Sequence, residues 1–234
     1  MPLFLRHKAD VIMDLFADDS SLSTRSKDLH TVEHLLQDSL TDVSDWCHKN
    51  KMKLNSKKSK SMVISTRQKH QLQPLILTLR IGSDLNEQVK FHRVLGVIVD
   101  EKLTWHFHID SILKTVSRNL FLLSKLWHYA SIDALKAFFY AHCLPHINYA
   151  STIWCNTDDE HVKMINRMHK RAVKLMCRDS SLSTEQKYKE LDILTLKDQF
   201  TYNACILVFK QARDLVPEYL RVLLPSQNTT VVSA

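Results

Sequence analysis

Glycine is nearly absent from this chain: 234 residues contain two, Gly82 and Gly96. Walker-type and dinucleotide-binding loops need several glycines in a short run to cradle phosphates, so both are excluded. Long apolar runs are missing too. No stretch approaches the ~20 residues that cross a bilayer. The N-terminus, with Arg6, His7, Lys8 and Asp10, lacks the uninterrupted apolar core of a secretory signal. The expected location is intracellular, nuclear or cytoplasmic, away from membranes. The five cysteines, Cys47, Cys143, Cys155, Cys177 and Cys205, form no C-x-x-C pair. Their odd number and wide spacing argue against a disulfide framework or a zinc ribbon. Cys143, Cys155, His161 and His169 match no closed zinc pattern. His106 and His108, flanking Phe107 near a helix start, read as a weak chelating pair or, more simply, as a solvated or capping pair.

Negative charge is missing from two long stretches. Between Trp46 and Ser83 there is no Asp or Glu, while Lys49, Lys51, Lys53, Lys57, Lys58, Lys60, Arg67, Lys69 and Arg80 are basic. Between His161 and Arg178 acids are again absent, and Lys163, Arg167, Lys170, Arg171, Lys174 and Arg178 remain. The formal charge of +7 is therefore concentrated in two places. Such runs fit a phosphate backbone as partner, or simply two solvated faces. What is present otherwise is ordinary: 44% hydrophobic and 24% charged residues, enough for one large domain or two small ones.

The most informative run is Leu15-Phe16-Ala17-Asp18-Asp19-Ser20, preceded by Val11-Ile12-Met13. An apolar strand, two adjacent carboxylates and a short return segment read as a hairpin over residues 10–17 and 20–24. Carboxylates at a rigid tip suit hard cations such as Mg²⁺, the ions that handle phosphates. Under strict alternation Asp14 shares a strand face with Asp18 but lies roughly 13 Å away, too far to share a metal.

Phe16-Ala17-Asp18-Asp19 resembles the catalytic aspartate pair of reverse transcriptases in the form used by non-LTR, LINE-like retrotransposons. Further blocks resemble that family in order. Trp46 and Asn50-Lys51-Met52-Lys53-Leu54-Asn55-Ser56-Lys57-Lys58-Ser59 are similar to its lysine-bearing palm segment. Leu95-Gly96-Val97-Ile98-Val99-Asp100, with Leu103, Trp105 and His108-Ile109, resembles its primer grip and thumb entry. Tyr149, Trp154 and Arg171-Ala172 fit the helical thumb. The resemblance covers residues 1 to 178, and more loosely Val216-Pro217-Glu218-Tyr219-Leu220.

The resemblance implies an RNA-directed DNA polymerase with Mg²⁺ as its only cofactor and an RNA template and DNA primer as partners. Asp18 would be the direct metal ligand and Asp19 the supporting carboxylate. Lys58 matches the family lysine at the leaving phosphate, or is one of many surface lysines. Lys53, Lys57, Lys60, Lys170 and Arg171 would meet nucleic acid. Leu95-Gly96 would lie on the primer-grip strand, the glycine permitting close backbone approach or marking a bulge. In the family the fingers and an earlier palm aspartate precede the pair, and only seventeen residues precede Asp18 here. The expectation is a back-half fragment, inactive alone, whose upstream polymerase half is missing. The alternatives are a non-catalytic nucleic-acid-binding module and a remnant without function.

Periodicity fills in the rest. Leu29, Val32, Leu36, Leu40, Val43 and Trp46 repeat at helical spacing. Ser61–Ser65, Leu75–Leu79 after Pro74, and Val94–Val99 read as strands. Ile109 to Leu126 keep one apolar face; further helices are expected over Asp133–Cys143, stopping before Pro145, and over Asp159–Cys177 and Leu196–Asp214. The expected architecture is α+β: a partial antiparallel palm sheet with a packed helix over residues 1–104, a helical thumb over 105–225, and a frayed tail at 226–234. Trp105 and Trp154 read as core anchors of the helical part.

Overall fold

The computed structural model describes residues 10–66, 68–69, 75–156, 159–217 and 220. Arg67, Pro74, Asp158, Glu218-Tyr219 and the tail at 226–234 lie outside them. The chain divides into two compact units, Met1–Leu103 and Thr104–Ala234. The fold is α+β, with small antiparallel sheets in the first unit and mostly helices in the second.

The first unit opens with the hairpin β1 (Val11–Phe16) and β2 (Asp19–Thr24), paired from Val11↔Thr24 to Phe16↔Asp19. Helix α1 (Leu29–Lys49) follows, capped by Asp28, whose carboxylate accepts from Thr31 N–H at 2.9 Å. Hydrogen bonds from the Thr31 hydroxyl and N–H hold the Asp28 carboxyl below the usual carboxylate range. Val43 and Cys47 of α1 are buried against Met13, Leu22, Trp46 and Leu54, which pins one face of the hairpin.

The expected single sheet is instead four two-stranded pairings. Of the expected strand at Ser61–Ser65, only β3 (Lys60–Ser61) pairs, in parallel, with β6 (Glu87–Gln88). Beyond Leu79, β4 (Arg80–Ile81) and β5 (Asp84–Leu85) turn at Gly82-Ser83. Residues 75–79 form no strand, although Leu77 and Leu79 are buried and Ile76 exposed, as alternation requires. Much of their hydrogen bonding goes to side chains. Gln88 takes Leu77 N–H on Oε1 and gives Nε2 to Leu75 C=O, both at 2.7 Å. Glu33 accepts from Thr78 N–H at 3.0 Å. Gln37 brackets Arg80, accepting from its N–H at 2.8 Å and donating to its C=O at 3.1 Å. Carboxamides carry donor and acceptor side by side, so each mimics one rung of a ladder. The expected strand Val94–Val99 is a hairpin as well, β7 (Phe91–Val94) and β8 (Val97–Asp100).

The second unit is built on α2 (His106–Leu126), which buries Ile109, Ile112, Leu113, Val116, Leu120 and Leu123. Next come α3 (Ile132–Phe138), a π-helical turn (Phe139–Cys143) and α4 (Leu144–Asn148). The helix was expected to stop before Pro145 and does not. The π turn inserts an extra residue, Leu144 N–H bonds Phe139 C=O, and Pro145 falls in the first turn of α4, where its missing N–H goes unneeded. Short α5 (Ser151–Trp154) leads to α6 (Asp159–Met176), α7 (Thr184–Glu190) and α8 (Leu196–Ala212). A reciprocal capping box, Ser183 with Gln186, starts α7. Trp154 and Phe139 are fully buried in the common core, and Trp105 packs on it half-buried. No described helix is long and apolar enough to cross a membrane.

Candidate functional site

The β1–β2 tip is a two-residue turn. Ala17 has φ +54°, while Asp18, the second turn residue, does not have positive φ. Glycine normally takes the first position of such a turn. An alanine there costs roughly 1–2 kcal/mol of backbone strain. Asp18 projects from the turn, Asp19 begins β2, and both are exposed. Directly paired residues share a sheet face, so Asp19 lies with Phe16, and Asp14 with Ser21, on the side away from α1. The expectation from strict alternation is corrected here: Asp18 leaves the strand at the turn, and it is Asp19 that neighbours Asp14 diagonally. Diagonal neighbours of this kind sit about 7–8 Å apart. Among the described residues no three His, Cys, Asp or Glu side chains converge as metal ligands. The tip therefore offers Mg²⁺ two carboxylates and does not complete a cage.

The lysine segment follows α1. Lys51 takes φ +57° just after the helix end. Asn55 then folds the chain: its Oδ1 accepts from Lys58 N–H at 3.2 Å and its C=O from Ser59 N–H at 2.9 Å. Asn55 is thus the turn-former, and Lys57 and Lys58 stand exposed on that turn. Lys53, Lys57 and Lys58 have no ion-pair partner among the described residues. Lys60 differs: it is half-buried and paired with Glu87 at 2.5 Å, so its charge is already compensated.

Leu95-Gly96 is the tip of the β7–β8 hairpin rather than a strand interior. Both residues have positive φ, +46° and +86°, and Leu95 is exposed. This is the two-residue turn that twists with its strands, and it explains the glycine by conformation. No bulge is needed, because the register runs unbroken from Val94↔Val97 to Phe91↔Asp100.

In the second unit the basic run lies on one side of α6. At 3.6 residues per turn, Lys163, Arg167, Lys170, Arg171 and Lys174 fall within an arc of about 100°. The buried Ile165, His169, Ala172, Val173 and Met176 occupy the opposite side. Arg167, Lys170, Arg171 and Lys174 have no ion-pair partner among the described residues, whereas Lys163 pairs with Glu160 at 3.1 Å. Arg178 is not part of this stripe. Its guanidinium bonds the Ala130 carbonyl at 2.6 Å and lies 5.7 Å over the Trp127 ring, closing the end of α2. A groove of about 680 Å³ lined by Asp110, Leu113, Lys114, Ser117, Arg118 and Met164 runs beside α6. The sequence singles out Lys170 and Arg171; the spacing of three and four that joins them to Arg167 and Lys174 is the signal that extends the set.

The histidines take other roles than a local pair. His106 Nδ1 meets His161 Nε2 at 2.5 Å, joining α2 to α6, while His108 is buried edge-on to Trp154 with ring centroids 5.9 Å apart. His169 Nδ1 bonds the Tyr188 hydroxyl at 2.7 Å. Burial pushes the His169 imidazole down to about 4 and the Tyr188 hydroxyl up to about 12. Burial likewise pushes the Cys143 thiol up to about 11, the mark of an inert core cysteine. Cys47 and Cys177 are also buried and free.

Two curated proteins are distantly similar to the chain in sequence. The chain is 25% identical over 166 residues to a probable RNA-directed DNA polymerase from transposon X-element of Drosophila melanogaster, covering 69% of this chain and 18% of that protein. It is 22% identical over 207 residues to a probable RNA-directed DNA polymerase from transposon BS of the same organism, covering 83% of this chain and 22% of that protein. The chain thus spans about a fifth of the length of these relatives. No family model and no solved structure matches it.

Proposed function

We propose that this chain is the palm-and-thumb portion of an RNA-directed DNA polymerase of a non-LTR retrotransposon, with RNA template and DNA primer as partners. Residues 1–104 contribute a partial palm and 105–225 the thumb. One observation carries the reading: Asp18 lies in, and Asp19 directly after, a two-residue hairpin turn whose first residue, Ala17, is held in a strained conformation. Backbone strain of this kind is enriched at functional sites. The distant similarity to transposon polymerases supports it. Asp18 and Asp19 would hold metal, Lys58 would face the leaving phosphate, and the Leu95-Gly96 tip would approach the primer.

The 234-residue chain alone should not extend a primer. In-line phosphoryl transfer by this class needs two ions about 3.5–4 Å apart, and this tip offers too few oxygen donors to place them. Extension should appear only when the polymerase segment that precedes the corresponding hairpin in a related element is supplied in trans. Asp18→Ala should then abolish it. Extension by the chain alone, at any Mg²⁺ or Mn²⁺ level and lost in Asp18→Ala, would overturn the incompleteness. Complemented activity indifferent to Asp18→Ala would overturn the carboxylate assignment.

A second reading, duplex binding without catalysis, is favoured by the α6 stripe. Four cations along one helix face, without an ion-pair partner among the described residues, would form a sequence-independent phosphate-binding surface that requires no metal.

A further inference from the structure

Helix α8 buries only Leu196 and Gln199 fully. Its inner side also carries Phe200, edge-on to Trp154 with ring centroids 5.5 Å apart, and Asn203, which donates to Ser151 Oγ at 3.0 Å. One flank of its exposed side is unlike an ordinary solvated face. At 3.6 residues per turn, Asp198, Tyr202, Cys205, Phe209 and Arg213 fall within an arc of about 80°. All five are exposed, Tyr202 at 54% and Phe209 at 58%. Along the axis the stripe reads acid, aromatic, thiol, aromatic, base, at the three-and-four spacing with which helices interlock.

The stripe is its own complement when reversed. Asp198 and Arg213 are equidistant from the point between Cys205 and Ile206, and so are Tyr202 and Phe209. Two copies laid antiparallel would set Asp198 against Arg213 twice and Tyr202 against Phe209 twice, with Cys205 near the two-fold axis. A parallel pair would stack Asp198 on Asp198 and Arg213 on Arg213. Both charged ends are available. Arg213 lies 5.5 Å over its own Phe209 ring, at the edge of the stripe. Asp198 accepts from Thr195 Oγ1 on Oδ2 at 2.7 Å, which leaves acceptor capacity on the carboxylate.

From this charge and shape complementarity we propose that the outer face of α8 docks on the same face of a second copy of the chain, antiparallel. The stripe covers well under the ~800 Å² per partner of a permanent complex, so the dimer is concentration-dependent. Sedimentation equilibrium of the full chain up to about 0.5 mM, a level suited to so small an interface, should show a monomer–dimer equilibrium. Asp198→Arg alone and Arg213→Asp alone should each weaken association at least tenfold, because each sets like charges together. The double variant should return to within about threefold of the original, and an equimolar mixture of the two single variants should associate as well. Far-UV circular dichroism and the thermal unfolding of each single variant should match those of the original chain, so that lost association is not lost folding. A chain monomeric throughout this range would overturn the proposal. So would a double variant, or a mixture of folded single variants, as monomeric as the singles alone; α8 would then serve a different partner.

Discussion

In the first unit, two buried residues of α1, Val43 and Cys47, pack with Met13, Leu22, Trp46 and Leu54, and much of the order elsewhere comes from side chains bonded to backbone. In the second, one continuous cluster runs from Ile109 to Leu196 and includes Trp154, Phe139 and Met176. The contrast follows from secondary structure. Helices satisfy their own backbone and can commit a whole face to a core, whereas two-stranded pairings leave donors and acceptors that something else must meet. It also separates the candidate chemistry. The carboxylate tip and the lysine turn lie on the lightly packed unit, and the exposed α6 cations on the well-packed one.

The largest expected effect tests that difference in packing directly. Trp154→Ala should cost about 3–5 kcal/mol, the range for emptying a filled aromatic site. Val43→Ala should cost roughly 1.5 kcal/mol, two methyl groups in a small cluster. Urea unfolding followed by far-UV circular dichroism would measure both. Equal losses would erase the distinction.

A second difference is sensitivity to acid. His169 in the second unit has its pKa lowered to about 4 by burial. Its unfolded form titrates near 6.5, so between these values the unfolded chain binds more protons and stability falls with falling pH. The contribution is complete above about pH 6.5, is lost progressively toward pH 4 and is flat below. Its upper bound is about 3 kcal/mol. His169→Phe should flatten the stability profile in that window. A variant whose profile keeps its original slope would show that another group is responsible.

The smallest effects concern the two hairpin tips of the first unit. Ala17→Gly should stabilise by about 1 kcal/mol, since glycine takes the positive φ without strain. Gly96→Ala should destabilise by a similar amount, at φ +86°. Opposite signs at the two tips would be read from chemical denaturation, and a destabilising Ala17→Gly would remove the strain argument.

The α+β class and the long helices were legible because apolar residues repeat at helical spacing over several turns. The first hairpin was legible because strand signals flank a two-residue break, although the turn falls one residue earlier than expected, at Ala17-Asp18, and Asp19 already pairs in β2. Three features were not. Residues 75–79 alternate as a strand should, yet much of their bonding goes to Glu33 and Gln88, distant in sequence. Pro145 sits inside a continuous helical run because the π turn before it shifts the hydrogen-bond register. Val94–Val99 looked like one strand, since Leu95 gives no local sign of the positive φ it adopts beside Gly96. At the candidate site, the charges were visible and their compensation was not. Lys60 is neutralised by Glu87 and Arg178 is occupied with Ala130 and Trp127, while Arg167 and Lys174 join Lys170 and Arg171 on the open side of α6.

Phosphate binding is expected to reside on α6, with the carboxylate tip playing no part in it. The direct measurement is the salt dependence of RNA–DNA duplex binding by the full chain, followed by fluorescence anisotropy. Replacing Arg167, Lys170, Arg171 and Lys174 by Ala should lower the slope of log affinity against log salt by about 3.6, roughly 0.9 for each phosphate left without its cation. Asp18→Asn with Asp19→Asn should leave that slope unchanged. A slope indifferent to the α6 substitutions, or one that falls when the two aspartates are neutralised, would contradict this division of roles.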